Sequence, residues 1–187
     1  MPLFSLSPVS ARPERVAGSH RARRAAAWLR GWLLLLLLLP VLLLPAPVSA
    51  SLGERVDYTL TNQTGQDFHG QDLSETSFAG AVARQANFDA ADLHGAIFTQ
   101  GAFAGASFRG ADLSDVLMDR VDFNGVDFSG ALLRGVIASG SSFASATVTD
   151  ADFSGAILDR ADQLALCRQA SGRHPVTGVE TRLSLGC

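Results

Sequence analysis

Gln66-Asp67-Phe68-His69-Gly70, Ala91-Asp92-Leu93-His94-Gly95 and Ala111-Asp112-Leu113-Ser114-Asp115 share one plan, and that plan recurs from Val56 to Arg160 without insertion or deletion across 21 blocks of five. Each block opens on a small residue, often continues with Asp or Asn, and places Phe or Leu third. Five fits neither the 3.6-residue period of a helix nor the two-residue alternation of a strand. Self-similarity at a fixed period is the signature of a solenoid, in which each unit buries its apolar side against its neighbours. First and third positions flank the polar second one, so they share a side and form the interior. Gly fills the fifth position in 11 of the 21 blocks, as expected for a corner that needs unusual dihedrals.

A longer period lies over the short one. Phe68, Phe88, Phe108 and Phe128 stand 20 residues apart, and so do Leu73, Leu93, Leu113 and Leu133. If one coil takes four blocks, each set becomes a ladder of identical side chains, where like shapes nest on like shapes. The sequence thus predicts an all-β solenoid with four sides and about five coils, with rungs about 4.8 Å apart. Gln63 puts a polar group at one core position, and Ala83 and Ala138 are small centres that should narrow the core or leave a void.

The formal charge of −3 conceals a segregation: residues 1–50 hold six Arg and one Glu (+5), the remainder nine Arg and 17 Asp or Glu (−8). A basic head on an acidic body is a targeting pattern, and no nucleic-acid partner is expected. Arg12 to Arg30 supplies a basic region and Gly31 to Leu44 an apolar run. Pro45-Ala46-Pro47 then breaks the helix before the small residues Val48-Ser49-Ala50. This is the order of a secretory signal peptide spanning 1–50, cleaved after Ala50, so that the chain meets a membrane only through that segment before cleavage. The competing reading is an uncleaved anchor, which Pro40, Pro45 and Pro47 oppose. Arg23-Arg24 raises a twin-arginine route, but Ala26 stands where an apolar aromatic would strengthen it.

Cys167 and Cys187, the only cysteines, allow one pairing, and an exported chain favours a disulfide. A metal site there lacks ligands, since His174 is the only nearby histidine and no CxxC spacing exists. The division expected is a signal at 1–50, the solenoid at 51–160 with 51–55 loose and Tyr58 as its plug, and a helical, disulfide-tied cap at 161–187. In that cap, Asp162 to Ala170 reads as a short helix with Asp162 as its cap, Gly172 as its stop, and Leu164 and Leu166 closing the core.

The A-(D/N)-L-x-x blocks over 56–160 resemble the pentapeptide repeat family. That resemblance implies a right-handed quadrilateral β-helix. The tail from Leu166-Cys167-Arg168 through Pro175-Val176-Thr177-Gly178-Val179 to Gly186-Cys187 is similar to the ends of exported members in cyanobacteria and chloroplasts. For those members the resemblance implies residence in the thylakoid lumen, with the periplasm as the alternative.

Stepping by 20 also sorts the exterior. Ile97, Leu117, Ile137 and Ile157 form an outward apolar row, which marks a protein partner or a homodimer contact unless the tail (Val176, Val179, Leu183, Leu185) folds over it or the coil simply tolerates it. Asp72, Asp92, Asp112 and Asp152 form an acidic row interrupted by Leu132, read as hydrogen-bonding the turns rather than holding a cation. His69, Asp89 and Arg109 make a mixed-charge row, and neither His69 nor His94 has a nucleophile partner in sequence. Asn62-Gln63-Thr64 fits a glycosylation sequon, relevant only in a eukaryotic secretory route. No catalytic motif, metal site or cofactor is indicated. The expected function is a non-enzymatic interaction or structural scaffold. The alternatives are a DNA-mimic inhibitor of a topoisomerase, as the family resemblance implies for cytosolic members, and a redox-responsive protein acting through its disulfide.

Overall fold

The computed structural model describes residues 56–187. The expected signal segment, the expected cleavage after Ala50 and the lead 51–55 lie outside the described residues. From Asp57 onward every second-position residue makes a parallel bridge to the residue 20 positions later: Asp57 to Ser77, Asn62 to Val82, Asp67 to Asn87, Asp72 to Asp92, and so on to Ile137 with Ile157. Four five-residue sides therefore close one turn of the coil, and each side stacks on the one above.

The backbone bonds explain why the period is five. The third-position amide donates to the next coil, as Phe68 N–H to Asn87 O at 2.7 Å, and the fifth does likewise, as Gly70 N–H to Asp89 O at 2.9 Å. The second-position amide reaches back to the previous coil, as Asp92 N–H to Gln71 O at 2.9 Å. The first closes the corner on the preceding third position, as Ala91 N–H to Phe88 O at 3.1 Å. Only the fourth-position amide has no place in this scheme. Its acceptor is the second-position side chain: Asp92 Oδ1 takes the His94 amide at 3.0 Å and Asp112 Oδ1 takes the Ser114 amide at 2.9 Å. The Asp or Asn in the repeat thus satisfies the one backbone donor that coil stacking leaves over.

The core is one column of side chains from first and third positions. Ring centroids separate Phe68 from Phe88 by 4.8 Å, Phe88 from Phe108 by 4.7 Å and Phe108 from Phe128 by 5.4 Å, all stacked. Leu73, Leu93, Leu113 and Leu133 are buried beside them. Tyr58, half-buried, stacks on Phe78 at 4.7 Å. Gln63 keeps its amide out of the apolar column by donating to the Thr61 hydroxyl at 3.0 Å. Ala83 and Ala138 are both buried. At Ala83, Phe103 one coil on lies 6.3 Å from Phe78 and 6.0 Å from Phe88, so rings converge on the space the small centre leaves. Ser141 stands at a first position, where its hydroxyl accepts the Val121 amide at 2.9 Å and donates to the Met118 carbonyl, entering the corner of the coil above.

The period ends at Asp159, and helix α1 (Arg160–Gln169) follows, built from strong helix formers with Asp162 in its first turn and Arg168 in its last. This corrects the expected start: Asp159 is the N-cap, and its carboxylate accepts the Gly140 amide at 2.8 Å instead of a helix amide. Leu166 is buried but Leu164 is exposed. Residues two apart on a helix point to nearly opposite sides, so the two leucines cannot both close the core. Ala170, Leu185 and Leu166 join the apolar cluster at this end. A short helix, α2 (Thr181–Ser184), precedes the chain end. Cys167 on α1 and Cys187 are bonded, with S–S 2.08 Å and Cα–Cα 5.7 Å.

Candidate interaction surface

The side that starts with Asp57 and Ser77 continues with apolar second positions in blocks 96–100, 116–120, 136–140 and 156–160. Apolar residues occur at this position elsewhere only as Val82, Ala102 and Leu132, and in the other blocks Asp, Asn, Ser or Thr stands there. Bridges Ile97 to Leu117, Leu117 to Ile137 and Ile137 to Ile157 hold the four side chains in one row. Three are exposed, Ile97 by 37%, Leu117 by 39% and Ile157 by 56%, and Ile137 is half-buried. These side chains have no oxygen for the amide two residues on. Acids from neighbouring positions partly compensate: the Ser139 amide donates to Asp119 Oδ1 at 3.2 Å. An apolar row that forgoes the capping bond and remains in water is a candidate contact surface.

The tail does not cover it. The carboxyl-terminal segment instead docks on the other side of the last coil. Ser171 O accepts the Asp150 amide at 2.9 Å, Asp150 Oδ1 accepts the Arg173 amide at 2.8 Å, and His174 Nε2 lies 3.1 Å from Gly130 O. Val176 and Leu183 are 85% and 73% exposed, and Leu185 turns inward to the cap. The alternative in which these residues shield the row does not match this placement, in which Gly172 lies against Asp150. A Cβ there would collide with that carboxylate, and Gly172 also adopts φ +83°. At its carboxyl end the row adjoins a crevice of about 280 Å³ lined by Phe153, Ile157, Leu158 and Leu185 among others.

The acidic row works as turn acceptors. Asp72 Oδ1 takes both the amide and the hydroxyl of Ser74, at 3.1 and 2.7 Å, and these bonds hold its carboxyl below the usual carboxylate range. Burial under the tail raises the Asp152 carboxyl. Bonds from the Ser154 amide and hydroxyl (2.9 and 2.6 Å), the nearby Thr177 hydroxyl and the charge of Arg134 outweigh that effect and hold it low. In the mixed row, Arg109 pairs with Asp127 at 2.8 Å, one coil on, while its amide donates to Asp89 Oδ1 at 3.0 Å. The His69 amide is held by Asp67 Oδ1 at 3.1 Å.

His94 has company that spacing along the chain conceals. The coil brings it into a shallow concavity of about 490 Å³ with Asp112, Ser114, Asp115 and Arg134. These residue types resemble a hydrolytic set, but Asp112 Oδ1 is taken by the Ser114 amide. Counting in steps of 20 at the fourth position, Ser74-His94-Ser114-Arg134-Ser154, was the signal available in the sequence.

A family model described as pentapeptide repeats matches residues 67–100 and 102–135. Among solved structures, a pentapeptide repeat protein of the Arabidopsis thaliana thylakoid lumen is 32% identical, covering 70% of this chain and 90% of that chain, with a TM-score of 0.53. A pentapeptide repeat protein involved in heterocyst differentiation regulation in the cyanobacterium Nostoc is 27% identical over 57% of this chain and 46% of that one (TM-score 0.31). A plasmid-mediated fluoroquinolone resistance protein is 23% identical over 56% and 67% (TM-score 0.32). No curated protein matches the sequence.

Proposed function

The chain belongs to the pentapeptide repeat family, and from that premise we propose that it is an exported, non-enzymatic scaffold of the thylakoid lumen that docks a protein partner on the row Ile97–Leu117–Ile137–Ile157. Pentapeptide repeat proteins fold as right-handed quadrilateral β-helices and are in general structural or interaction proteins, which suits a chain whose core is filled by its own side chains. The observation that carries the reading is the exposed apolar row, four second-position side chains stacked in consecutive coils. Export rests on the signal-like residues 1–50, and the lumen on the 32% identity to a lumenal protein over 90% of its length.

The test is proximity labelling by the tagged full-length chain in its source organism, with Ile137→Asp as the matched control and fractionation to place the product. A labelled lumenal protein that disappears with Ile137→Asp supports the reading. Identical label sets for the two chains, or a product retained outside the export route, overturn it. Sedimentation of the purified chain separates a second copy from a different protein as occupant.

A second reading follows from charge placement. The acidic side chains gather on two adjacent sides, among them Asp67, Asp89 and Asp127 on one and Asp72, Asp92 and Asp112 on the next. An acidic rod of this kind is the premise of nucleic-acid mimicry. A supercoiling assay with excess chain decides it: unaffected topoisomerase activity removes the idea.

A further inference from the structure

The tail is pinned to the coils by one buried imidazole. His174 is 3% exposed. Its Nδ1 accepts two backbone amides, Val176 at 3.2 Å and Thr177 at 3.1 Å. With both donors aimed at Nδ1, the hydrogen-bond network assigns the ring proton to Nε2, which donates to the Gly130 carbonyl at 3.1 Å. Gly130 is a corner of the solenoid 44 residues earlier, so this ring joins the tail to a distant part of the coil. The same segment is closed by an antiparallel bridge between Arg173 and Glu180, and it lays Thr177 beside the Asp152 carboxylate.

An imidazolium donates at both nitrogens and accepts at neither. A second proton, on Nδ1, meets two amides that cannot turn away while the 174–177 turn stays closed. We propose that the segment Arg173–Glu180 is an acid-released latch with His174 as its trigger. The docked form accommodates only the neutral ring. Docking is therefore present with the neutral ring and is opposed once acid places a second proton on it.

The charges facing this ring do not rescue the docked form. On the segment itself, Arg173 and Glu180 pair with each other at 2.5 Å. On the coils beneath, Asp150 is engaged by the Arg173 amide, and Asp152 by Ser154 with Arg134 nearby. Both ring nitrogens are already bound to backbone groups, so neither carboxylate reaches the ring without the latch opening. Release is local, because Leu166 and Leu185 remain in the apolar cluster and the Cys167–Cys187 bond keeps the chain end on α1. What it uncovers is Asp152 and the Gly130 corner, at the carboxyl end of the two acidic sides.

The experiment is amide hydrogen exchange of the full chain at about pH 7.5 and about pH 5, corrected for intrinsic rates, with the His174 ring titrated by NMR. The expected result is a rise of about tenfold or more in exchange at Val176, Thr177 and Val179, with Phe108 and Phe128 unchanged and the midpoint matching the ring titration. His174→Gln, which retains one acceptor and one donor but does not titrate, should keep the segment protected at both pH values. Unchanged protection of the wild type at about pH 5 overturns the proposal, as does a release midpoint away from the ring titration. Acid release that persists in His174→Gln and vanishes in Asp152→Asn overturns it too, assigning the effect to the carboxylate.

Discussion

Every fifth position from Leu60 to Gly155 sits in the left-handed region, including nine residues that are not glycine, Gln100 (φ 61°) among them. A side chain there costs about 1–2 kcal/mol, of which glycine's greater freedom in the unfolded chain returns about 0.4–1. Gln100→Gly should therefore stabilise the coil by about 0.5–1 kcal/mol in denaturant titration. Gly110→Ala should destabilise it by about 1 kcal/mol although nothing lies within 4 Å of the added carbon, which isolates the backbone term from any clash. Ser141 tests the polar side of the same scale. Its hydroxyl bonds both the Val121 amide and the Met118 carbonyl, so Ser141→Ala should cost about 1–3 kcal/mol by stranding buried backbone groups, more than a surface Ser→Ala change. The glycines were legible as corners from the repeat. The role of Ser141 was not, because its partners lie 20 and 23 residues away in another coil.

At the scale of elements, the carboxyl-terminal cap decides how the open end of the solenoid is closed. Leu166 is the residue of α1 that enters the core, and Leu166→Ala should lower stability by about 2–5 kcal/mol, with Leu164→Ala nearly neutral. Replacing Cys187 by Ser removes a tie of 20-residue separation and should cost about 3 kcal/mol, read as a lower Tm that reductant no longer changes. Unchanged melting of the wild type under reductant would count against any redox role for this bond. The Asp152 carboxyl is held low by its partners, so its contribution to tail docking is present above the ordinary carboxylate range, about 3.9, and lost as pH falls through its lowered folded value. Asp152→Asn should flatten the acid limb of the stability profile. The position of α1 was readable to within a few residues from its composition, but which leucine faced inward depended on helical phase set by Asp159.

Across the coils of residues 56–160, one side carries an apolar row and two adjacent sides are acidic, so a partner meets distinct faces. Ile137→Asp should leave Tm nearly unchanged, since its side chain stands outside the core, while abolishing whatever association the row supports. A large loss of Tm in that variant would show the row to be part of the fold's own packing, and the docking reading would fall with it.

The five-residue period and its 20-residue overtone determined the solenoid, its four sides, the inward positions and the make-up of each outward row, because a strict repeat fixes both side-chain direction and stacking register. Tertiary structure alone decided which side the tail covers. That choice turns on the close approach at Gly172, the buried ring of His174 and its bond to Gly130, contacts between residues whose separation obeys no period.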